Sequence, residues 1–470
     1  MAAPFKLYSV HQAVRIVNGE EYGIGLEDRG IFSVVTDSRK AVTGSLFVAL
    51  DGERSDGHRH INQAVQNGAV CILADKNKAG LYRNVELTGK SAVIRVDNPL
   101  ASLQKLAEEY VSRFPSLIRI GITGSSGKTT TKEILAAIFS LSDPTVFTQG
   151  NLNSEIGLPL SMFSIRPEHK YGIFEMGINF KGEMDILARI FRPEYTVITN
   201  IGTAHTGPLG GEEGIVREKS RIFSYFSNKS IGFLPEEDRH LEYLKSACKD
   251  RFVLFGENRV SAVTDVEDLG LDGWQMKCGG ENVRFSLPGR HNLSNLYAAV
   301  AVAEYFAIDP VVIRRGIESV SALPGRSRII RSGITIIEDS YNANEDSLAK
   351  ALVYLSDLPW SGRKIAVLGS MKELGAASEK IHAGVGEMIL HTGIDAVFFY
   401  GEEMGAAYTV LREKEPGFKS FHFTNYSKLE NSLSEYVESG DIVLLKGSRS
   451  MKLEKLVNKL SNGEALKGYV

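Results

Sequence analysis

Residues 124–130, Gly-Ser-Ser-Gly-Lys-Thr-Thr, are the part of the chain whose types and spacing imply chemistry most directly. Gly124 and Gly127 let the backbone turn several N–H groups inward, and a helix starting near Lys128 adds the positive end of its dipole, so the run suits polyphosphate. Lys128 would neutralise the outer phosphates and Thr129 would hold Mg²⁺ through its hydroxyl, while Ser125, Ser126 and Thr130 complete the candidate nucleotide-binding set. The longer spacing Gly-x-x-x-x-Gly-Lys needs glycine at 122; the chain has Ile122, so the loop is the tighter Gly-x-x-Gly-Lys-Thr.

Other polar groups follow apolar runs that read as strands. The run 171–176 contains Glu175, and 196–199 leads into Asn200-Ile201-Gly202-Thr203-Ala204-His205. A carboxylate and an imidazole there are candidate Mg²⁺ contacts. Glu175 is the stronger of the two, because a lone histidine at a strand end is more often a hydrogen-bonded structural residue. The turn 150–157 offers Asn151, Asn153 and a carboxylate. Two N-terminal turns, Thr36-Asp37-Ser38-Arg39 and 51–58 with Asp56, Gly57 and His58, carry donors suited to an anion, and equally read as solvated turns. Asn292 and Asn295, before an alanine-rich helix at 296–307, suit a purine edge, though capping explains one of them as well. Lys219 lies on a helix, 214–226, whose charged face needs no role beyond solvation.

These side chains need strands and helices to hold them, and the chain supplies several sets. At 470 residues it exceeds one ordinary core, and three domains are expected, at 1–96, 97–325 and 326–470. Asn98-Pro99 opens a helix that stops before Pro115, and Leu323-Pro324-Gly325-Arg326 breaks the pattern again. The fold class is α/β: a small N-terminal α/β domain, a central phosphate-loop domain with a mainly parallel sheet, and a third domain of repeated strand–helix units wound like a Rossmann fold. Residues 231–285 yield no readable motif.

The composition, 43% apolar and 24% charged with a net charge of −3, is that of a globular protein without the basic surface that nucleic acid requires. No apolar run is long enough for a membrane span, and the first residues do not resemble a signal sequence, so a cytoplasmic protein is expected. Cys71, Cys248 and Cys278 read as reduced thiols.

Seven stretches in order resemble the Mur ligases, ATP-dependent amide-forming enzymes of peptidoglycan precursor synthesis. They are TGSSGKTTTKE at 123–133, NLNSEIGLPLS at 151–161, FEMG at 174–177, NIGTAH, REKSRIF at 217–223, LPGRHNLSN at 287–295 and DSYNANEDS at 339–347. The last, with VLGSMKELG, looks most like the member that joins D-alanyl-D-alanine to UDP-N-acetylmuramoyl-tripeptide. The resemblance implies a UDP-sugar domain, a central ATPase and a C-terminal Rossmann-like domain; a monomer is expected. It also implies ATP and two Mg²⁺ sites, with Thr129, Glu175, His205 and a carbamylated Lys219 as ligands. Lys128, Lys219 and His205 would carry catalysis. Asn292, Asn295, Arg326, Asp339 and Asn342 would contact the nucleotide. Ser38, Arg39, Asp56, Gly57, His58, Asn151, Asn153 and Asn344 would contact the other substrates. Two positions depart from the pattern: Ser154 replaces the usual second asparagine, and Ser370 the usual aspartate. All three lobes are expected to meet around the triphosphate. The rival readings are another Mur-type or folate–glutamate ligase and, from a different class, a phosphate-loop switch; the latter lacks an Asn-Lys-x-Asp motif.

Overall fold

The computed structural model describes residues 4–22, 28–52, 55–88, 90–203 and 206–461. Their strands form three larger sheets, each fed by strand–helix units, and two small ones. In the first, Ser33–Val35, Ser45–Val48, Ala69–Asp75 and Ala92–Val96 run parallel, and Glu20–Tyr22 adds an antiparallel edge. Short apolar runs separated by polar turns make such strands, and helices such as Ile61–Gln66 cover them.

The second sheet is parallel throughout, in the spatial order Phe252–Phe255, Ile231–Pro235, Tyr195–Ile198, Ile118–Thr123, Tyr171–Glu175, Thr145–Phe147. Ile118–Thr123 comes first in the chain yet lies inside the sheet. The chain first builds towards Thr145–Phe147 and then returns to the other side, so the carboxyl end of Ile118–Thr123 is a topological switch point, where open α/β sheets keep their ligands. The phosphate loop leaves from that end, and its helix, Lys128–Ser142, packs against the helix Arg290–Tyr305.

The segment 231–285, unreadable from sequence, completes this sheet and then forms a separate antiparallel one from Val263–Asp268, Trp274–Cys278 and Glu281–Phe285. The third large sheet has Thr335–Asp339, Ile442–Lys446, Lys364–Gly369, Ala396–Tyr400 and Lys419–Phe423 in parallel order, with Arg328–Arg331 antiparallel at the edge.

The first two lobes share a continuous apolar core running from Leu7 to Cys248. Polar bonds tie them further: the Tyr8 hydroxyl donates to Leu106 O at 2.5 Å and Arg113 to Leu7 O at 2.7 Å. The third lobe has its own cores on the two faces of its sheet. Cys71, Cys248 and Cys278 are buried free thiols. No described helix is long and apolar enough to cross a membrane.

Candidate active site

The phosphate loop can be built only with glycine at its two corners. Gly124 has φ +152° and Gly127 φ +79°; a Cβ on the first would lie 1.9 Å from Thr199 Oγ1, and one on the second 2.2 Å from Asn295 Oδ1. Asn200, which follows the adjacent strand, braces the loop: its Oδ1 accepts from Ser126 N at 3.1 Å, and its amide donates to Ser126 O at 3.1 Å. Thr199 Oγ1 donates to the same carbonyl at 2.6 Å. Lys128 Nζ donates to Gly124 O at 2.7 Å, so the ammonium lies over the loop. Burial, and then the nearby Arg326 charge, pull its pKa down, while Glu175 opposes this.

Glu175 ends its strand buried beside the loop. One carboxylate oxygen accepts from Thr129 Oγ1 at 2.8 Å, the other from Asn153 Nδ2 at 2.7 Å. A hydroxyl and a carboxylate that meet on the wall of a polar cleft are hard oxygen donors in the arrangement Mg²⁺ takes, so these residues fit that ion.

Lys219 is not the solvated residue its helix pattern allowed. It is 1% exposed, and desolvation, with the Lys128 charge adding to it, drives its pKa well below the ordinary lysine value. The helix observed is Glu212–Ser220, continued by a tighter turn at Arg221–Phe223. His205 lies outside the described residues.

Across the cleft stand residues of the third lobe. Its volume is about 580 Å³, and its walls come from 125–239, 291–295, 326–350, Glu373 and Lys446. Asn292 and Asn295 line it from inside the helix Arg290–Tyr305 rather than ahead of it; Gly289 at φ +88° ends the preceding loop early, so neither is the cap. Asn292 donates to Pro288 O at 2.8 Å, and Asn295 Oδ1 accepts from Thr131 Oγ1 at 3.3 Å. Arg326 stacks on Tyr341 with its guanidinium carbon 3.9 Å from the ring centre. Asp339, partly exposed, pairs with the buried Lys446 at 2.6 Å; desolvation raises its carboxyl, but the Lys446 charge outweighs this and holds it below the ordinary range. Asn342 is exposed on the cleft wall, whereas Asn344 is engaged as N-cap of the helix Glu345–Asp357, accepting from Ser347 N at 2.9 Å. Asn151 also lines the cleft. Ser154 does too, and its hydroxyl accepts from Gly157 N.

The N-terminal residues are not brought there. Ser38, Arg39, Asp56, Gly57 and His58 are not among the residues that line the cleft, whose wall, among the described residues, comes from the second and third lobes. Ser38 donates to Gln63 at 2.7 Å, and Arg39 pairs with its neighbour Asp37 in solvent. His58 is buried: Asp75 N donates to its Nε2 at 3.0 Å, which leaves the Nδ1 proton for Asp56 at 2.6 Å. Lys78 pairs with both Asp51 and Asp56. Ser370 is fully buried.

Several cleft residues escaped the sequence reading. Lys446 ends an apolar strand and Asn200 stands two residues beyond another, the same kind of signal that marked Glu175. Glu237, Asp238 and Arg239 line the cleft after Ile231–Pro235. Asp238 Oδ2 accepts from Ile201 N at 2.7 Å. Asp346 accepts from Thr203 N at 2.6 Å across the lobe boundary, a partnership that sequence spacing does not encode.

Residues 31–111, 122–303 and 325–449 match, in order, the Mur ligase family catalytic domain, the Mur ligase middle domain and the Mur ligase glutamate ligase domain. The UDP-N-acetylmuramoyl-tripeptide–D-alanyl-D-alanine ligase of Treponema pallidum is 41% identical over 430 residues, 91% of this chain and 93% of that protein. A crystal structure of MurF from Acinetobacter baumannii superposes with a TM-score of 0.86 at 30% identity, covering 98% of this chain and all of that one. MurF ligase from Thermotoga maritima, solved in complex with ADP, gives 0.75 at 28% identity, covering 92% and 97%. Sequence and fold together make this chain a member of the Mur ligase family.

Proposed function

We propose that this ligase joins D-alanyl-D-alanine to the terminal carboxylate of UDP-N-acetylmuramoyl-tripeptide at the expense of ATP, completing the pentapeptide precursor of peptidoglycan. The observation that carries the reading is the polar cleft in which a phosphate loop from one lobe faces Arg326, Asp339 and Asn342 from another; the Treponema pallidum relative supplies the substrates. A free carboxylate resists amines because its leaving group is strongly basic. Transfer of the γ-phosphoryl group onto it gives an acyl phosphate; the dipeptide amine then forms the C–N bond and phosphate leaves.

The side chains divide this work. Lys128 and the inward N–H groups of 124–130 hold the phosphates, so charge developing during transfer meets fixed donors. Asn292 and Asn295 stand on the adenine side, and Arg326 and the 339–342 turn close over the nucleotide to keep water from the acyl phosphate. Thr129, Glu175 and His205 would hold Mg²⁺, and a carbamylated Lys219 would serve a second ion; bound there, the ions would neutralise the clustered phosphate and carboxylate charges. Lys219 suits that modification because burial favours its neutral amine, the form that adds CO₂. Ser38, Arg39, Asp56 and Gly57 would grip the UDP-linked substrate at the N-terminal lobe, with His58 holding the Asp56–Gly57 turn from within. Asn151, Asn153 and Asn344 would flank the peptide. The lobes divide near 96/97 and 325/326, on the sheet boundaries, and the enzyme acts as a cytoplasmic monomer.

Mass spectrometry of the product, with ATP, the dipeptide and tripeptides ending in lysine or in diaminopimelate, tests this. One of the two tripeptides must gain the mass of D-alanyl-D-alanine less water; if neither does, the assignment fails.

A further inference from the structure

Lys132 is a buried cation that the proposed reaction does not use. It lies one turn beyond Lys128 on the phosphate-loop helix, its side chain is 0% exposed, and it is outside the described cleft wall. Burying an ammonium is costly, and its ionic partner, Glu133 at 2.5 Å, is its own chain neighbour and partly in solvent, so ion pairing gives little reason to keep it. Its other bond is more informative. Nζ donates to Thr148 O at 2.8 Å, just past the end of Thr145–Phe147. That strand is three residues long and, among the described residues, stands at the edge of the sheet, paired on one side.

Thr148 is fully buried and fixed at three points. Its carbonyl accepts the hydrogen bond from Lys132 Nζ, its N–H donates to Ile173 O at 3.1 Å, and its hydroxyl accepts from Glu175 N at 3.0 Å. From Thr148 the chain turns to Asn153, whose amide donates to Glu175 Oε1 and whose carbonyl accepts from Gly177 N at 2.9 Å. Glu175 is thus gripped at its backbone by Thr148 and at its carboxylate by Asn153 and by Thr129 on the Lys132 helix. Lys132 closes that ring from behind.

We infer that Lys132 is a positioning residue: by holding Thr148 it fixes the distance between the phosphate-loop helix and Glu175, and so sets the carboxylate for a divalent ion shared with the nucleotide. This rests on the proposed metal role of Glu175. Groups that orient a ligand from behind commonly change metal affinity by about 10- to 100-fold when removed.

The test is calorimetric binding to the full-length protein, without turnover, of ADP with Mn²⁺ and of ADP in a chelator. Lys132→Met keeps the volume and removes the donor. Thr148→Val keeps the shape and removes the hydroxyl that holds Glu175 N, and it carries the test should Lys132→Met not fold. Each is expected to weaken Mn²⁺–ADP by about tenfold or more while leaving metal-free ADP within about twofold, and Thr148→Ser is expected to bind like the parent. Equal weakening of both ligands, or of neither, would overturn the inference. Glu175→Gln separates the two levels. If it weakens Mn²⁺–ADP and the other variants do not, Lys132 has no such role; if it leaves Mn²⁺–ADP unchanged, the metal reading of Glu175 falls and this inference falls with it.

Discussion

Gly207 lies where the central lobe meets the third, and adding one methyl group there isolates the contact between them. It is part of the short helix Thr206–Leu209, and a Cβ built on it would stand 2.8 Å from Gly375 N, 3.0 Å from the Leu374 carbonyl carbon and 3.1 Å from Glu373 O. All three are backbone atoms of the other lobe, which no rotamer change can move aside. Ordinary contact needs roughly 3.5 Å, so Gly207→Ala must part the two segments by about 0.7 Å. The central lobe itself is not strained, since alanine favours a helix by up to about 1 kcal/mol over glycine. Glu373 lines the cleft, so the shift is felt where the substrates meet. A misplacement near 1 Å can cost about 100-fold in rate, and the expected loss in kcat is about 10- to 100-fold, with a melting temperature at or above the parent's. Phosphate release at saturating substrates, paired with a thermal melt, reads both. A parent-like kcat would show that this seam is not part of the reacting arrangement.

Three other outcomes follow from the same site. Lys219→Ala should lower kcat by at least about 100-fold, and the parent protein in ¹³C-labelled bicarbonate should show a carbamate carbon resonance that the variant lacks; near-parent activity without bicarbonate dependence would remove the carbamate. Burial lowers the His291 pKa to about 4, against an unfolded value near 6.5, so as pH falls between these values the unfolded chain takes up a proton that the folded one refuses. Stability is therefore lost on acidification by up to about 3 kcal/mol, and His291→Gln should flatten the dependence of unfolding free energy on pH in that window. Asp339→Asn leaves the Lys446 ammonium buried without its counter-charge and should cost about 3 kcal/mol in denaturant unfolding, part of which Lys446→Met in the same chain should recover.

What could be read from sequence is what is local in the chain. The phosphate loop was legible because its glycines, lysine and threonine are consecutive and lie between a strand and a helix. Glu175 was legible because it ends an apolar run. The small antiparallel sheet was missed although Gly279-Gly280, with φ of +60° and +85°, is a two-residue hairpin turn between alternating strands. Its polar, largely exposed first strand hides the pattern. The sequence pattern starts the helix Arg290–Tyr305 at 296 and the fold starts it at 290, because its first turn carries arginine, histidine and asparagine instead of the alanines that follow. Asn344 and His58 show a different limit: the same residue type can serve a ligand or its own backbone, and only the fold reveals that Asn344 caps a helix and that His58 is spent between Asp56 and Asp75. Pairs such as Asp339 with Lys446 or Thr203 with Asp346 are made by topology, and nothing in their separation along the chain announces them.

Phosphate release from ATP, measured with UDP-N-acetylmuramoyl-tripeptide and D-alanyl-D-alanine each present or omitted, tests the central claim most directly. The account predicts release only when both are present, one phosphate for each pentapeptide formed. Release from ATP alone, or undiminished release when a single amino acid replaces the dipeptide, would contradict it.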